Sequence, residues 1–371
     1  MMTREEYNFW LANLTNIGIK KIELLLRVFG TAEEVFNTSG EELDAFKKEC
    51  CPVQLRFHAA DINTILRDRD PEKIHAQYIK LTESGIAFVS KESEHYPEKL
   101  RNIYNAPFGL YVRGRLPKQG EKVLAVVGAR ECTPYGKEMA KYLSGAVARE
   151  GVSVISGLAR GIDACAHQGA LTDGGITYGV LGCGIDICYP KENIHLFMEL
   201  LNTGGIISEY APGIQPVAGN FPMRNRIISA LSDGILVVEA REKSGSLITV
   251  DYGLEQGKDI FALPGRATDR LSEGCNNLIK MGAKLVSAPK DILEELIPDY
   301  RERREGSGRC GNLFNDLEET ICACLNSDPK HIEEIAVLTM LPMDHLMEQL
   351  LIMELRGLLR QPMKNYYCKV Y

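Results

Sequence analysis

The chain has 371 residues, 45% of them hydrophobic and 25% charged, which places it among soluble globular proteins and predicts two or three domains rather than one core. A net charge of −7 excludes a globally basic nucleic-acid binder, so any DNA site has to be a local patch. Met1 to Trp10 carries no basic-then-apolar leader and no apolar run nears the roughly 18 residues of a membrane span, so the expectation is a cytoplasmic protein with no membrane association.

Residues 1–110 are predicted to be helices and connections, with apolar residues at helical spacing in Phe9–Leu14 and Ile22–Val28. Thr15 to Lys20 (TNIGIK) precedes an apolar helix and Gly30 follows it as a C-cap. This resembles a helix-hairpin-helix or SAM-like unit, with a plain helical module as the alternative.

From Lys122 the pattern changes to short β-branched runs alternating with amphipathic stretches. Predicted strands are Val123–Val127, Val152–Ile155, Thr177–Leu181, Gly205–Ser208, Gly234–Val238, Asp259–Ala262 and Lys284–Val286. Predicted helices lie near Tyr135–Glu150, Ile162–Thr172, Lys191–Leu201, Pro222–Ser232, Leu247–Glu255, Cys275–Met281 and Ile292–Leu296. Such alternation gives an α/β fold, a Rossmann-like, doubly wound and mostly parallel sheet over residues 111–300.

Residues 301–315 (RERREGSGRCGNLFN) read as a linker. Over 316–371, helices near Leu317–Asn326, His331–Leu338 and Met343–Arg356 precede two strand-like pieces, Leu358–Gln361 and Tyr366–Val370, a pattern that resembles a winged helix.

In an open parallel sheet, ligands bind at the C-terminal strand ends. After the first predicted strand, Gly128 lets backbone approach a ligand and Arg130 offers a fork of donors. After the second, Ser156 and Gly157 open SGLARG, completing a phosphate cradle. The third ends in Leu181-Gly182-Cys183-Gly184; neither a full GxGxxG nor a GxxxxGK[ST] loop is present, which removes the usual anchors of NAD chemistry and ATP hydrolysis.

Asn220 to Ile228 (NFPMRNRII) puts an aromatic ring, two arginines and an amide at a helix entrance. Phe221 would stack on a base while Arg224, Asn225 and Arg226 meet phosphates and a base edge; the alternative is that Phe221 is core and the arginines pair with acids. Lys243, Ser244, Gly245 and Ser246 open the next helix as a second anion site, or Ser244 or Ser246 is an ordinary N-cap.

Asp163 and His167, four apart, are either an acid–base pair or, as preferred here, an internal bond that fixes the preceding loop. Glu209 and Glu239 stand at strand ends without a legible partner. The eleven cysteines include no CxxC pair and read as reduced, buried hydrophobes.

Taken in order, VVGAR, SGLARGIDACAHQGAL, LGCGIDICYP, SEY, NFPMRNRIIS, VVEA, KSGSLIT, ALPG and NNLIKMGA resemble the DprA (Smf) family of DNA-processing proteins over Val123 to Val286. The resemblance implies a homodimer that binds single-stranded DNA, protects incoming strands and loads the RecA recombinase during natural transformation, with no catalytic residue, cofactor or metal. By motif position it assigns DNA contacts to Gly128, Arg130, Ser156, Gly157, Phe221, Arg224, Asn225, Arg226, Lys243, Ser244, Gly245 and Ser246. The dimer surface would involve Leu254, Leu278 and Ile279.

One departure is Ala218, where several family members carry a DNA-contacting lysine; here the patch would lean on Arg130 and Lys243. The third winged-helix element carries Asp344, Glu348 and Glu354 against Arg356, the wrong sign for a phosphate surface, so a protein partner is expected. The alternative function is a nucleotide phosphoribohydrolase similar to the LOG group, but Glu239–Thr249 lacks that group's PGGxGTxxE segment.

Overall fold

The structure, a computed structural model, describes residues 2–49, 57–298, 300–301, 316–325, 329–356 and 358–369. The predicted linker from 302 onward, Cys50, Cys51, Asn326 and Val370 lie outside the described residues. The chain divides into two compact units, Met1–Tyr300 and Arg301–Tyr371.

The first unit opens with helices α1 (Arg4–Ala12), α2 (Ile19–Phe29), α3 (Ala32–Asn37), α4 (Gly40–Glu49), α5 (Ala59–Arg67) and α6 (Pro71–Glu83). Local chemistry sets their ends. Thr3 and Thr31 form capping boxes with Glu6 and Glu34, and Gly30 closes α2 at φ 96, as its position predicts. Strand β1 (Ala87–Ser90), helix α7 (Glu98–Arg101) and strand β2 (Gly109–Gly114) follow. Neither strand is predicted from sequence, because each is short and β2 has its second partner, β6, far along the chain. The expected break at 110 therefore falls inside β2.

The α/β alternation then runs β3 (Val123–Val127), α8 (Pro134–Arg149), β4 (Ser153–Ser156), α9 (Ile162–Thr172), β5 (Thr177–Leu181), α10 (Ile194–Thr203) and β6 (Gly205–Ser208). It continues with α11 (Asn220–Leu231), β7 (Gly234–Val237), α12 (Leu247–Glu255), β8 (Asp259–Ala262), α13 (Glu273–Lys280), β9 (Lys284–Leu285) and α14 (Lys290–Leu296). Every predicted strand and helix of this region is present, with ends shifted by at most a few residues.

The nine strands form one sheet in the order β1-β2-β6-β5-β4-β3-β7-β8-β9. β3 to β9 run parallel, and the β1–β2 hairpin joins antiparallel through β2 and β6. Alternate residues serve opposite faces. Val123, Ala125 and Val127 pack with Ile227, Ile228 and Val250 of α11 and α12, whereas Leu124 and Val126 pack with Leu143, Val147 and Ile162 of α8 and α9. The N-terminal helices share a core with α10 and the β2 edge through Phe9, Leu25, Tyr111 and Phe197.

The chain leaves β3 toward β4 on one side, while β7 lies on the other. The switch in strand order thus falls at β3, and the crevice there is where a ligand fits.

The second unit has α15 (Asp316–Cys324), β10 (Lys330–His331), α16 (Ile332–Thr339), α17 (Met343–Leu355), β11 (Leu359–Met363) and β12 (Tyr366–Lys369). Its antiparallel sheet, β10-β12-β11, closes on a core of Ile321, Ile335, Leu346, Leu350 and Leu359. This is the expected winged helix, with β10 as an added strand.

Candidate nucleic-acid interface

A cleft of about 640 Å³ opens at the switch point. Gly128 and Arg130 after β3, Tyr189 beyond β5, Phe221, Arg224 and Asn225 in α11, and Arg241 with Lys243 to Ser246 beyond β7 all line it. Gly128 has to be glycine: a β-carbon would lie 2.7 Å from Ile162 Cγ1 and 2.9 Å from the Glu239 carbonyl. Gly161, which opens α9 at φ 75, is equally constrained, since its β-carbon would meet Ala129 O at 2.3 Å.

Phe221 is half-buried at the start of α11. The Arg130 guanidinium stands 5.7 Å over its ring, and the Tyr189 ring lies against it at 5.5 Å between centroids and 33° between planes. Tyr189 remains 44% exposed, so an aromatic face looks into the cleft. Sequence reading missed Tyr189, whose only signal was an aromatic residue in the loop after a strand. Gly182 makes room for this arrangement, because a β-carbon there would come within 2.8 Å of Phe221 Cδ1. Its GxG glycine serves an aromatic ring and not a dinucleotide turn.

Arg130, Arg241 and Lys243 are exposed, and among the described residues none of them has an ion-pair partner. Arg241 faces the same cleft as Ala218 and supplies a cation that motif matching did not assign. Ser244 and Ser246 bond to each other, Oγ to Oγ at 2.8 Å, and neither caps α12 through its side chain. The ordinary N-cap alternative is therefore not what forms. Asn225 Nδ2 donates to Gly245 O at 3.4 Å and ties the two rims together.

Other predicted contacts lie beneath the cleft. Arg224 is 5% exposed and donates from Nη1 to Gly157 O at 2.9 Å and to Val180 O. Burial, partly offset by the Asp163 charge, lowers its pKa to about 10, which leaves it a cation at neutral pH. Ser156 is fully buried and donates to Val126 O at 2.6 Å, tying β4 to β3. Gly157 donates to Asp163 Oδ2 at 3.1 Å, and neither Ser156 nor Gly157 lines the cleft.

Arg226 requires a correction. Its side chain is 2% exposed and its Nη2 donates to both carboxylate oxygens of Glu209, at 2.7 and 2.8 Å. Nε donates to Asn105 O at 3.0 Å and Nη1 to Met223 O at 3.1 Å. The helical period turns residues 224 and 225 toward the cleft and 226 away from it, a distinction that the motif string does not carry.

Leu278 likewise faces inward, 6% exposed in the core beneath β7 and β8, and cannot present a contact surface. Leu254 is 58% exposed and Ile279 half-buried.

The remaining acidic candidates are occupied. Glu239 accepts from Thr133 N at 2.9 Å and Thr133 Oγ1 at 2.5 Å. Asp163 fixes the loop after β4 by accepting from Gly157 N, not through the expected bond with His167, and burial raises its pKa. His167 bonds through Nδ1 to Thr177 Oγ1 at 2.7 Å and is not joined to Asp163. Thr177 Oγ1 donates in turn to Val154 O at 3.0 Å, so His167 Nδ1 carries the proton of a neutral ring.

Residues 87–297 match the family model described as DNA recombination-mediator protein A, and residues 314–362 match the DprA winged helix domain. The chain belongs to the DNA recombination-mediator protein A family. Its relatives in that family include the DNA processing protein DprA of Streptococcus pneumoniae, 41% identical over 63% of this chain and 86% of the relative. Protein Smf of Escherichia coli is 39% identical over 72% of this chain and 74% of its own length.

Two solved structures of the family are similar. The S. pneumoniae DprA structure matches with TM-score 0.61 at 34% identity, covering 80% of this chain and 98% of that one. The Helicobacter pylori DprA structure, described for its single-stranded DNA binding mode, matches with TM-score 0.52 at 30% identity over 58% of this chain and 97% of that one.

Proposed function

We propose that this chain binds single-stranded DNA in the cleft at the β3 switch point and acts as a recombination mediator. The observation that carries this reading is the Phe221–Tyr189 ring pair set beside the cations Arg130, Arg241 and Lys243, which have no ion-pair partner among the described residues. Bases stack on rings for about 1–3 kcal/mol each whatever their sequence, and cations neutralise phosphates in a salt-dependent way. Beneath this surface Arg224 adds a buried positive charge that water screens little.

In the same reading the protein protects incoming strands and loads a RecA-type recombinase during natural transformation, in the cytoplasm and without catalysis or cofactor. A homodimer would use the exposed Leu254 and the neighbourhood of Ile279. The winged helix would meet a protein, since Asp344 and Glu348 are exposed on α17 while Arg356 is held by Glu318 at 2.6 Å.

Binding of the full chain to fluorescent oligo-dT tests the proposal. Arg130→Ala and Phe221→Ala should each weaken binding about tenfold or more with the thermal transition retained, and parent affinity should fall as salt rises. Parent-like affinity in both variants rules the cleft out.

A further inference from the structure

Tyr104 is 75% exposed in the loop between α7 and β2, and its hydroxyl is met by Lys20 Nζ at 2.9 Å, from the first turn of α2. The same ammonium lies 5.3 Å from the ring centroid. The two distances together put it off the hydroxyl edge of the ring rather than over a face, so a face stays open. The neighbouring Asn105, in the left-handed region at φ 57, gives its carbonyl to Arg226 Nε at 3.0 Å. Arg226 Nη1 holds Met223 O in the first turn of α11, two residues after Phe221. One guanidinium therefore clamps the Tyr104 loop to the helix start that carries the cleft's aromatic ring, and Glu209 neutralises it from behind.

We propose that Tyr104 and Lys20 form a second stacking position for single-stranded DNA, used by the strand after it passes over the first turn of α11. This rests on the cleft reading above and extends the grip to the N-terminal helices, whose TNIGIK turn has no role in the cleft itself. The chemistry repeats that of Arg130 and Phe221: an open ring face takes a base while an adjacent cation meets its phosphate. Burying a ring of this size against protein would have been favourable, and here it is instead held outward by a lysine. The buried Arg226 would then serve DNA binding by position, joining two aromatic stations without touching the strand.

The test uses the full chain and two oligo-dT probes, of about 6 and about 25 nucleotides, which fall near the lower end of and beyond the site sizes usual for single-strand grooves. Tyr104→Ala should weaken binding of the long probe about tenfold, as expected for one lost base stack, and leave the short probe unaffected. Tyr104→Phe, which keeps the ring and loses the hydroxyl bond, should bind the long probe as the parent does. Lys20→Gln should lower the salt slope of long-probe binding by about 0.7, the share of one phosphate contact.

Thermal melting of each variant accompanies the titrations. A folded Tyr104→Ala protein with parent affinity for the long probe overturns the second position and leaves the cleft standing. So does a Tyr104→Phe protein as weak as Tyr104→Ala, because the pair is then only a strut. Unchanged short-probe binding by both Phe221→Ala and Arg130→Ala overturns the cleft reading instead.

Discussion

Arg226→Met separates a framework role from a contact role for the arginine that the motif assigns to DNA. Methionine approximates the length of the side chain but removes every donor. Glu209, whose side chain is 16% exposed, then keeps a carboxylate without its bidentate partner, and the carbonyls of Asn105 and Met223 lose theirs. Breaking a buried pair from one side costs about 3–5 kcal/mol, and the two carbonyls add to this only partly because the groups share one network. Against the ~5–15 kcal/mol stability of ordinary domains, that is a large loss.

In urea, the transition of the Met1–Tyr300 unit should move to a lower midpoint at unchanged slope. Arg226→Met combined with Glu209→Leu should recover most of the loss, since no charge is left stranded. Short oligo-dT affinity of the folded single variant should stay close to parent. A variant with parent stability and lost short-probe affinity would refute the reasoning and put Arg226 on the strand.

Acid should find a specific weakness at His167, whose folded pKa burial depresses, with the Arg224 charge adding, from 6.5 to about 3. The unfolded chain binds a proton below that ordinary value which the folded chain refuses, so the contribution is complete above it and declines by about 1.4 kcal/mol per unit as pH falls. Asp163, raised by burial, acts with the opposite sign as pH falls, so the histidine's share is the difference between the urea midpoints of the parent and of His167→Gln, whose acid limb should be flatter. Gly157→Ala should lose about 1–3 kcal/mol in the same assay, because its β-carbon would sit 2.5 Å from Arg224 Nη2 and 2.8 Å from Asp163 Oδ2. Gly245→Ala, where a β-carbon meets nothing within 4 Å, is the matched control and should melt as the parent does. Removing residues 301–371 should leave short oligo-dT affinity intact, and a loss would move part of the DNA site into the winged helix.

The α/β core was readable because parallel strands buried on both faces write uninterrupted apolar runs, as in Val123–Val127, and helices between them keep their own period. β1 and β2 escaped the same reading: Ala87–Ser90 and Gly109–Gly114 are strands because each has a partner, far along the chain in the case of β2 and β6, and four to six residues carry no period of their own. The family, too, was legible, since linked motifs survive as strings.

Residue types at the strand ends predicted cations, a ring and small residues in one place, since loop chemistry is local. Which of them face outward was decided by packing. Arg224 and Arg226 are two positions apart on α11, yet one underlies the cleft and the other turns to Glu209 and Asn105. Tyr189 joins Phe221 and Lys20 joins Tyr104 only because separate segments of chain are brought side by side. Local sequence carries the period and the chemistry of each element; the direction of a side chain and the identity of its neighbour depend on contacts distant in the chain, and these exist only once the sheet has closed.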